Sequence, residues 1–461
     1  MKKLLVTIIA LSAFLSAHAG GLLTNTNQNV AFLRNPARAA SMEIDAAYSN
    51  PAGLAFLKKD GFYISVNNQS AFQVRTITTD FAPFRGFGGE SVKTFEGKAK
   101  ALVIPNLQAA YKTGDWAFSV NVGVAGGGGT ADFAQGLPSF ESTVAVAPVL
   151  LNSMPLPQSF DGYALESQLK GSSMTIGAQL GASYAINDYF SLYVGARYSY
   201  VNNGYEGYLR NIQVGMNGKL VPASTLLANP AFEPLAGLIG EKELDCKQTG
   251  SGIAPIIGLD FKYDKLNIGV KYEFKTAITL KNDTKTNTTG VNDYQNGVKT
   301  PYDIPALVTV GAQYDITPAL TVSAAYHHFF DSDAKMANSK QKHINGGINE
   351  YSAGLEYRIN SLFLASCGAA LTRSGVTDNY QADLSYSLNS SSYGFGGAID
   401  VTKNIRINVA YLFTIYSDWT KNSADYGNIN LLTNGMMPAT AGKDTFSRTN
   451  KTFGIGLDFR F

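Results

Sequence analysis

The last eleven residues, Lys451 to Phe461, set apolar side chains at 453, 455, 457, 459 and 461, place small or polar ones between, and end on an aromatic. A period of two puts one face of an extended segment against grease and the other against something polar. A tilted strand of roughly ten residues spans the hydrocarbon of a bilayer. Such a strand cannot stand alone, because hydrocarbon satisfies no backbone N–H or C=O and the sheet must close on itself. The rest of the chain therefore has to repeat the pattern.

It does so about fourteen times. Alternating segments run over 62–75, 98–112, 116–125, 170–186, 190–203, 252–263 and 266–281, then over 303–315, 320–331, 349–359, 362–373, 389–401, 405–418 and 450–461. The clearest lipid-facing rows are Met174, Ile176, Ala178, Leu180, Ala182 and Tyr184; Leu266, Ile268, Val270, Tyr272 and Phe274; and Ile405, Ile407, Val409, Tyr411 and Phe413. Interleaved with them stand Gln179, Lys271, Glu273 and Arg406, which a lumen tolerates and hydrocarbon penalises.

Connections alternate between short and long. Gly114-Asp115, Asn187-Asp188, Asp264-Lys265, Thr317-Pro318, Asn360-Ser361 and Lys403-Asn404 suit tight turns, whereas 126–169 and 204–251 are long enough to fold over a barrel mouth. Short turns on one rim and long loops on the other imply an even strand number with both termini on the short-turn, periplasmic side. A soluble all-β repeat protein would alternate too, but its strands rarely end on an aromatic terminus.

Ahead of the strands, Lys2 and Lys3 precede an apolar run from Leu4 to Ala17 and the small-x-small site Ala17-His18-Ala19. Residues 1–19 read as a signal peptide, since the run is shorter than the roughly 20 residues of a spanning helix. Residues 20–60 carry no membrane alternation, and their small and apolar groups need burial. A fourteen-strand lumen is wide enough to need a plug, and an N-terminal hatch entering from the periplasm fits it. The expected organisation is signal peptide 1–19, hatch 20–60 and an all-β, antiparallel transmembrane barrel over 61–461, placed in the outer membrane of a Gram-negative bacterium.

Composition agrees. The 461 residues include 46 Gly, 25 Tyr and 26 Phe but only 16% charged residues, against roughly 25% in soluble domains. A net charge of +2 argues against a nucleic-acid surface. Cys246 in a predicted loop and Cys367 in a predicted strand are expected to stay unpaired. Enzyme motifs are absent: there is no Gly-x-Ser-x-Gly elbow, Cys-x-x-Cys or His-Glu-x-x-His, and the adjacent His327 and His328 face opposite sides of a strand. No catalytic residue, metal or cofactor is assigned.

Signal peptide, hatch, fourteen strands and terminal aromatic together resemble the long-chain fatty-acid outer-membrane transporter family, the FadL and TodX kind. The most specific local match is Tyr48-Ser49-Asn50-Pro51-Ala52-Gly53-Leu54-Ala55, with 104–111 in the second strand as a weaker echo. The resemblance implies passive uptake of hydrophobic molecules, such as a fatty acid, by ligand-triggered hatch movement and lateral release into the bilayer beside a kink in the third strand. It assigns Asn50, Pro51 and Ala52 to the gate, although Asn35-Pro36-Ala37 is a second copy of the tripeptide. Gly123 and Gly126, Gly127, Gly128 and Gly129 are the kink candidates, the alternative being that the run merely opens a flexible loop. Arg197, Lys271, Arg358 and Arg406 are candidates to meet an anionic head group, though lumen charges often pair with neighbours such as Glu273 and Glu356. Phe461 is the expected assembly signal, read by the outer-membrane assembly machinery; outer-membrane lipid is the other partner, and the barrel is expected to be a monomer. The rival reading is a plugged barrel serving as an adhesin or structural binding protein.

Overall fold

The computed structural model describes residue 22 and residues 27–461 except 231 and 434. The signal peptide expected at 1–19 and the start of the hatch lie outside the described residues. Fourteen antiparallel strands form one closed barrel. They are β1 (Gly61–Phe81), β2 (Val92–Thr113), β3 (Trp116–Phe133), β4 (Phe160–Ala185), β5 (Phe190–Met216), β6 (Lys242–Tyr263), β7 (Leu266–Glu273, resumed over Thr279–Asn287) and β8 (Leu307–Asp315, led by Lys299–Pro301). Then follow β9 (Leu320–Phe329), β10 (Asn349–Arg358), β11 (Phe363–Arg373), β12 (Ser390–Asp400), β13 (Ile405–Tyr416, resumed over Trp419–Ser423) and β14 (Gly442–Arg460). Neighbours in sequence are neighbours in the sheet, and β14 pairs with β1 from Tyr63↔Arg460 to Phe81↔Gly442, which removes the last edge.

The alternation read from the sequence is the alternation of the wall. Leu180, Val194, Ile253, Val409 and Ile455 point outward and are exposed, while Gln179, Asn267, Lys271, Arg406 and Asp458 are buried inside. Exposed Phe62, Trp116, Tyr184, Tyr263, Tyr357 and Phe461 form an aromatic girdle at the short-turn rim. No described helix is long and apolar enough to cross a membrane, so the strands are the crossing elements.

All fourteen predicted segments are strands, but several extend further on the long-loop side. β4 starts at Phe160 and β5 runs to Met216, 26 and 27 residues against the roughly ten that cross hydrocarbon. Above the bilayer neither face meets lipid, so the apolar alternation that marks a membrane strand is missing although the ladder continues. For the same reason Cys246 lies buried in β6 and not in a loop; it and Cys367 are both free thiols. The predicted 266–281 and 303–315 segments are interrupted at 274–278 and 302–306, which are joined by the isolated pair Thr276↔Ile304 and by the Tyr302 N–H donating to the Ile278 carbonyl at 2.9 Å.

Long loops close the outer end. Helix α3 (Pro138–Asn152) is buried along most of its length and packs Val144, Ala147, Leu150 and Leu151 against Phe81, Phe84, Phe95, Val214, Leu238 and Tyr426, residues drawn from the upper ends of three strands and from three loops.

Candidate functional site

Residues 27–56 fill the lower lumen. They hold two short helices, α1 (Val30–Arg34) and α2 (Ala46–Ser49), and a 3-10 turn, Pro51–Phe56. Asn29 caps α1 by accepting from the Ala31 N–H at 2.8 Å. Asn50 adopts φ −147°, ψ 66°, outside the helical region, as a residue before proline should, and Pro51 opens the 3-10 turn. Lumen-facing glycines make room for this segment. A Cβ on Gly394 would lie 2.0 Å from the Leu33 carbonyl, and one on Gly269 would lie 2.3 Å from that of Ala39. Part of the glycine excess is thus a docking surface.

Charge dominates one side of the hatch. Arg34 donates to Glu356 at 2.8 Å, Arg38 lies 3.2 Å from the same carboxylate and 2.7 Å from Asp45, and Arg406 bridges Glu43 and Asp400 at 2.7 Å each. Burial pushes the Glu43 carboxyl up, but the guanidiniums of Arg406, Arg38 and Arg34 outweigh it and hold it well below the usual carboxylate range. The network ties the hatch to β10, β12 and β13.

Bonds from single side chains to hatch carbonyls hold it on the other side. Gln179 donates to the Ala47 carbonyl at 3.0 Å, Ser183 to Pro51 at 2.6 Å, Ser191 to Ala52 at 2.7 Å and the Lys271 ammonium to Tyr48 at 2.7 Å. Asn50 donates to Asp260 on β6, and Asn267 donates to that carboxylate at 2.9 Å. Both Asn-Pro-Ala copies are therefore anchored, Asn50 to β6 and Asn35 to Ser323 on β9 at 3.1 Å. These two bonds run to β6 and β9, while the hatch meets the third strand through apolar packing, Ala117 standing in one cluster with Ala47 and Leu54.

Above the hatch lies a cavity of about 280 Å³. Phe32 and Leu33 form its floor, and Ala101, Ile104, Ala125, Gly126, Gly127 and Gly129 one of its walls. That wall is discontinuous. β2 and β3 pair from Thr113↔Trp116 to Asn106↔Gly123, lose register, and pair again only from Lys100↔Thr130. Across the same stretch β3 carries two bulges against β4, and Gly127 sits at φ +71° with its missing Cβ 2.0 Å from the Ser173 carbonyl. Only glycine fits there. Pro105, which has no N–H for a ladder, falls in the unpaired stretch, and Leu102 and Val103 beside it are strongly exposed outward. The glycine run does not open a flexible loop: β3 continues through it to Phe133.

The four predicted head-group cations are all engaged elsewhere. Arg197 and Lys271 share Glu273 at 2.5 and 2.6 Å and lie over the ring of Tyr48, a hatch residue, at 4.8 and 4.6 Å. Arg358 and Arg406 share Asp400 near the short-turn rim. None of the four lines the cavity. Its cations are Arg75 on β1 and Arg448 on β14, which sequence reasoning passed over. Both fall on inward positions of alternating strands, but only the closing register, which sets Arg75 directly opposite Arg448, brings them together. Phe461 closes that same seam through two backbone bonds to Phe62, 2.8 and 3.1 Å. His327 meets Glu350 at 3.3 Å and His328 meets Asn349 at 2.9 Å, on opposite faces as expected.

No protein-family model matches the sequence, and no curated protein matches it either. Solved structures do. The chain aligns over 96% of its length, and over all of the other chain, with a Pseudomonas aeruginosa FadL homologue at TM-score 0.62 and 12% identity. It aligns with the Pseudomonas putida toluene transporter TodX over 96% of its length and all of that chain, at TM-score 0.55 and 15% identity. The Ralstonia pickettii toluene transporter TbuX gives 95% and 99% coverage, TM-score 0.52 and 16% identity. The chain has the FadL/TodX-like fold, a closed fourteen-strand barrel of the outer-membrane multi-pass kind.

Proposed function

We propose that the chain is a passive outer-membrane channel for hydrophobic molecules, whose cargo enters through the apolar loop lobe, occupies the lumen cavity and leaves sideways between β2 and β3 when the hatch shifts. The observation that carries this reading is one coincidence: the cavity above the hatch is walled by the very stretch where the β2–β3 ladder fails. A gap in a barrel wall at membrane depth exposes backbone groups to hydrocarbon, a cost that a lateral exit would explain. Cargo needs no catalytic group, because each buried methylene contributes roughly 0.8 kcal/mol. The neighbouring transporters in the comparison, which carry toluene, support the same class of cargo. Phe461, the aromatic end of the closing strand, serves in this account as the assembly signal, and the working unit is a single barrel.

The test is uptake of a radiolabelled long-chain lipophile by phospholipid vesicles with and without the protein, folding being checked by heat-modifiable migration on a denaturing gel. Protein-dependent uptake is expected. Background uptake by folded barrel, together with loss of cell adhesion on deleting the 138–152 helix, would favour the adhesin reading.

A further inference from the structure

Where hydrocarbon gives way to head groups the outer wall has to change chemistry, and the strands record the level. On β14 the outward residues, read upward from the terminus, are Phe461, Phe459, Leu457, Ile455 and Phe453; the first charge is Lys451, ten residues above the end. On β2 they are Tyr111, Ala109, Leu107, Pro105 and Val103, and the first charge is Lys100. A tilted strand of about that length crosses hydrocarbon, so with the long loops outward both ammoniums stand where the outer leaflet's head groups begin.

The ladder aligns the two. Phe72 on β1 is the register partner of Lys451 on one side and of Lys100 on the other, and Phe413 on β13 is the partner of Lys451 beyond it. One row across four strands therefore reads Phe413, Lys451, Phe72, Lys100, with the lysines two strand spacings apart, roughly 10 Å. Their chain neighbours Ala99, Ala101, Asn450 and Thr452 line the lumen cavity, which fixes both lysines on the outer face. Three other lysines of the outer wall meet acids: Lys98 lies 3.4 Å from Glu96, Lys275 3.4 Å from Asp303 and Lys285 3.1 Å from Asp245. Among the described residues no carboxylate comes within 4.0 Å of the Lys100 or Lys451 ammonium.

We infer that this row is a docking site for a bisphosphorylated glycolipid of the outer leaflet, one phosphate on Lys451 and the other on Lys100, the sugars over Phe72 and the acyl chains down the apolar rows of Phe453, Ile455 and Val103. Any lysine at a bilayer boundary can snorkel to a lipid phosphate. Two unpaired lysines held apart by an aromatic ring match a head group with a phosphate at each end of a disaccharide, whereas a glycerophospholipid offers one phosphate and satisfies one ammonium. The inference concerns the outer wall alone and stands apart from the channel reading.

Native mass spectrometry of the full barrel, refolded without lipid in dodecyl maltoside and given an equimolar mixture of bisphosphorylated lipid A, its monophosphorylated form and phosphatidylglycerol, tests this. Wild type should retain bisphosphorylated lipid A in clear preference. Lys100→Gln with Lys451→Gln should lower that retained fraction roughly tenfold or more, as expected for the loss of two charge-assisted contacts, while heat-modifiable migration confirms the folded barrel. Lys275→Gln with Lys285→Gln removes the same net charge from lysines that already have acids and should change retention less than about twofold. Equal retention of the three lipids by wild type, retention of none, unchanged retention in the first double variant, or an equal loss in the second, overturns the docking site.

Discussion

The hatch is held very differently by the two sides of the lumen it faces. Toward β10–β13 it meets a web of four arginines and four carboxylates: Arg34, Arg38, Arg358 and Arg406 with Glu43, Asp45, Glu356 and Asp400. Toward β1–β3 its polar ties are few, an Asn29 amide to Gln108 at 2.6 Å and to Ser65 at 3.4 Å and the Val30 N–H to Asn67 at 3.1 Å. Beyond them lie the cavity and the broken ladder. The difference assigns a fixed side and a free side. A hatch that moves by a few ångströms would pivot on the charged web and yield where the wall is already open, which is the geometry that lateral release requires.

The comparison breaks most visibly if the charged side is cut. Glu356→Ala takes from the buried Arg34 the carboxylate it donates to, and from Arg38 one of its three acids, Asp45 and Glu43 remaining, a change expected to destabilise hatch docking by about 3–5 kcal/mol. Hydrogen exchange of residues 27–56 should speed up strongly, and bilayer conductance should rise while the barrel keeps its heat-modifiability. Unchanged exchange would mean the web does not anchor the hatch.

Next in size is the gate element. Asn50→Ala with Pro51→Ala leaves the buried Asp260 without one of its donors, a loss of roughly 1–3 kcal/mol, and should strongly reduce lipophile uptake by a folded barrel. The same pair of changes at Asn35 and Pro36 removes a bond to the neutral hydroxyl of Ser323 and should have the smaller effect. Equal uptake by both double variants and wild type would remove the tripeptides from the mechanism.

A smaller and reversible effect is expected on the free side. The Cβ built on Gly129 lies 3.6 Å from that of Ala101, within the spacing a disulfide spans. In a background with Cys246 and Cys367 changed to serine, Ala101→Cys with Gly129→Cys should join the upper edge of the interruption on oxidation. Uptake should fall by about half or more and recover on reduction. Redox-insensitive uptake with the bond formed would mean that this edge need not part.

What the sequence made legible follows from which solvent each segment meets. Strand count, short turns, lipid-facing rows and the inward placement of Gln179, Lys271 and Arg406 were all readable, because hydrocarbon enforces a strict period of two. The upper halves of β4 and β5 were not, because above the bilayer no solvent asymmetry marks alternate residues. The site divides in the same way. Gly126–Gly129 could be read as a local irregularity, since glycine acts within its own strand. The partners of Asn50 and the Arg75–Arg448 pair depend on contacts over 200 and 370 residues of chain, roughly, which no local pattern encodes. Arg197, Lys271, Arg358 and Arg406 were rightly placed inside, but a facing direction does not reveal whether an acid waits opposite.

The central claim, exit between β2 and β3, is tested most directly by trapping cargo in transit. A diazirine-bearing long-chain lipophile, photolysed during uptake by protein-containing vesicles and mapped by peptide mass spectrometry, should label residues 101–105 and 124–129, with Leu102 and Val103 prominent. Labels confined to the hatch and the short-turn rim, with none at those stretches, would place the exit in the periplasm and contradict the account.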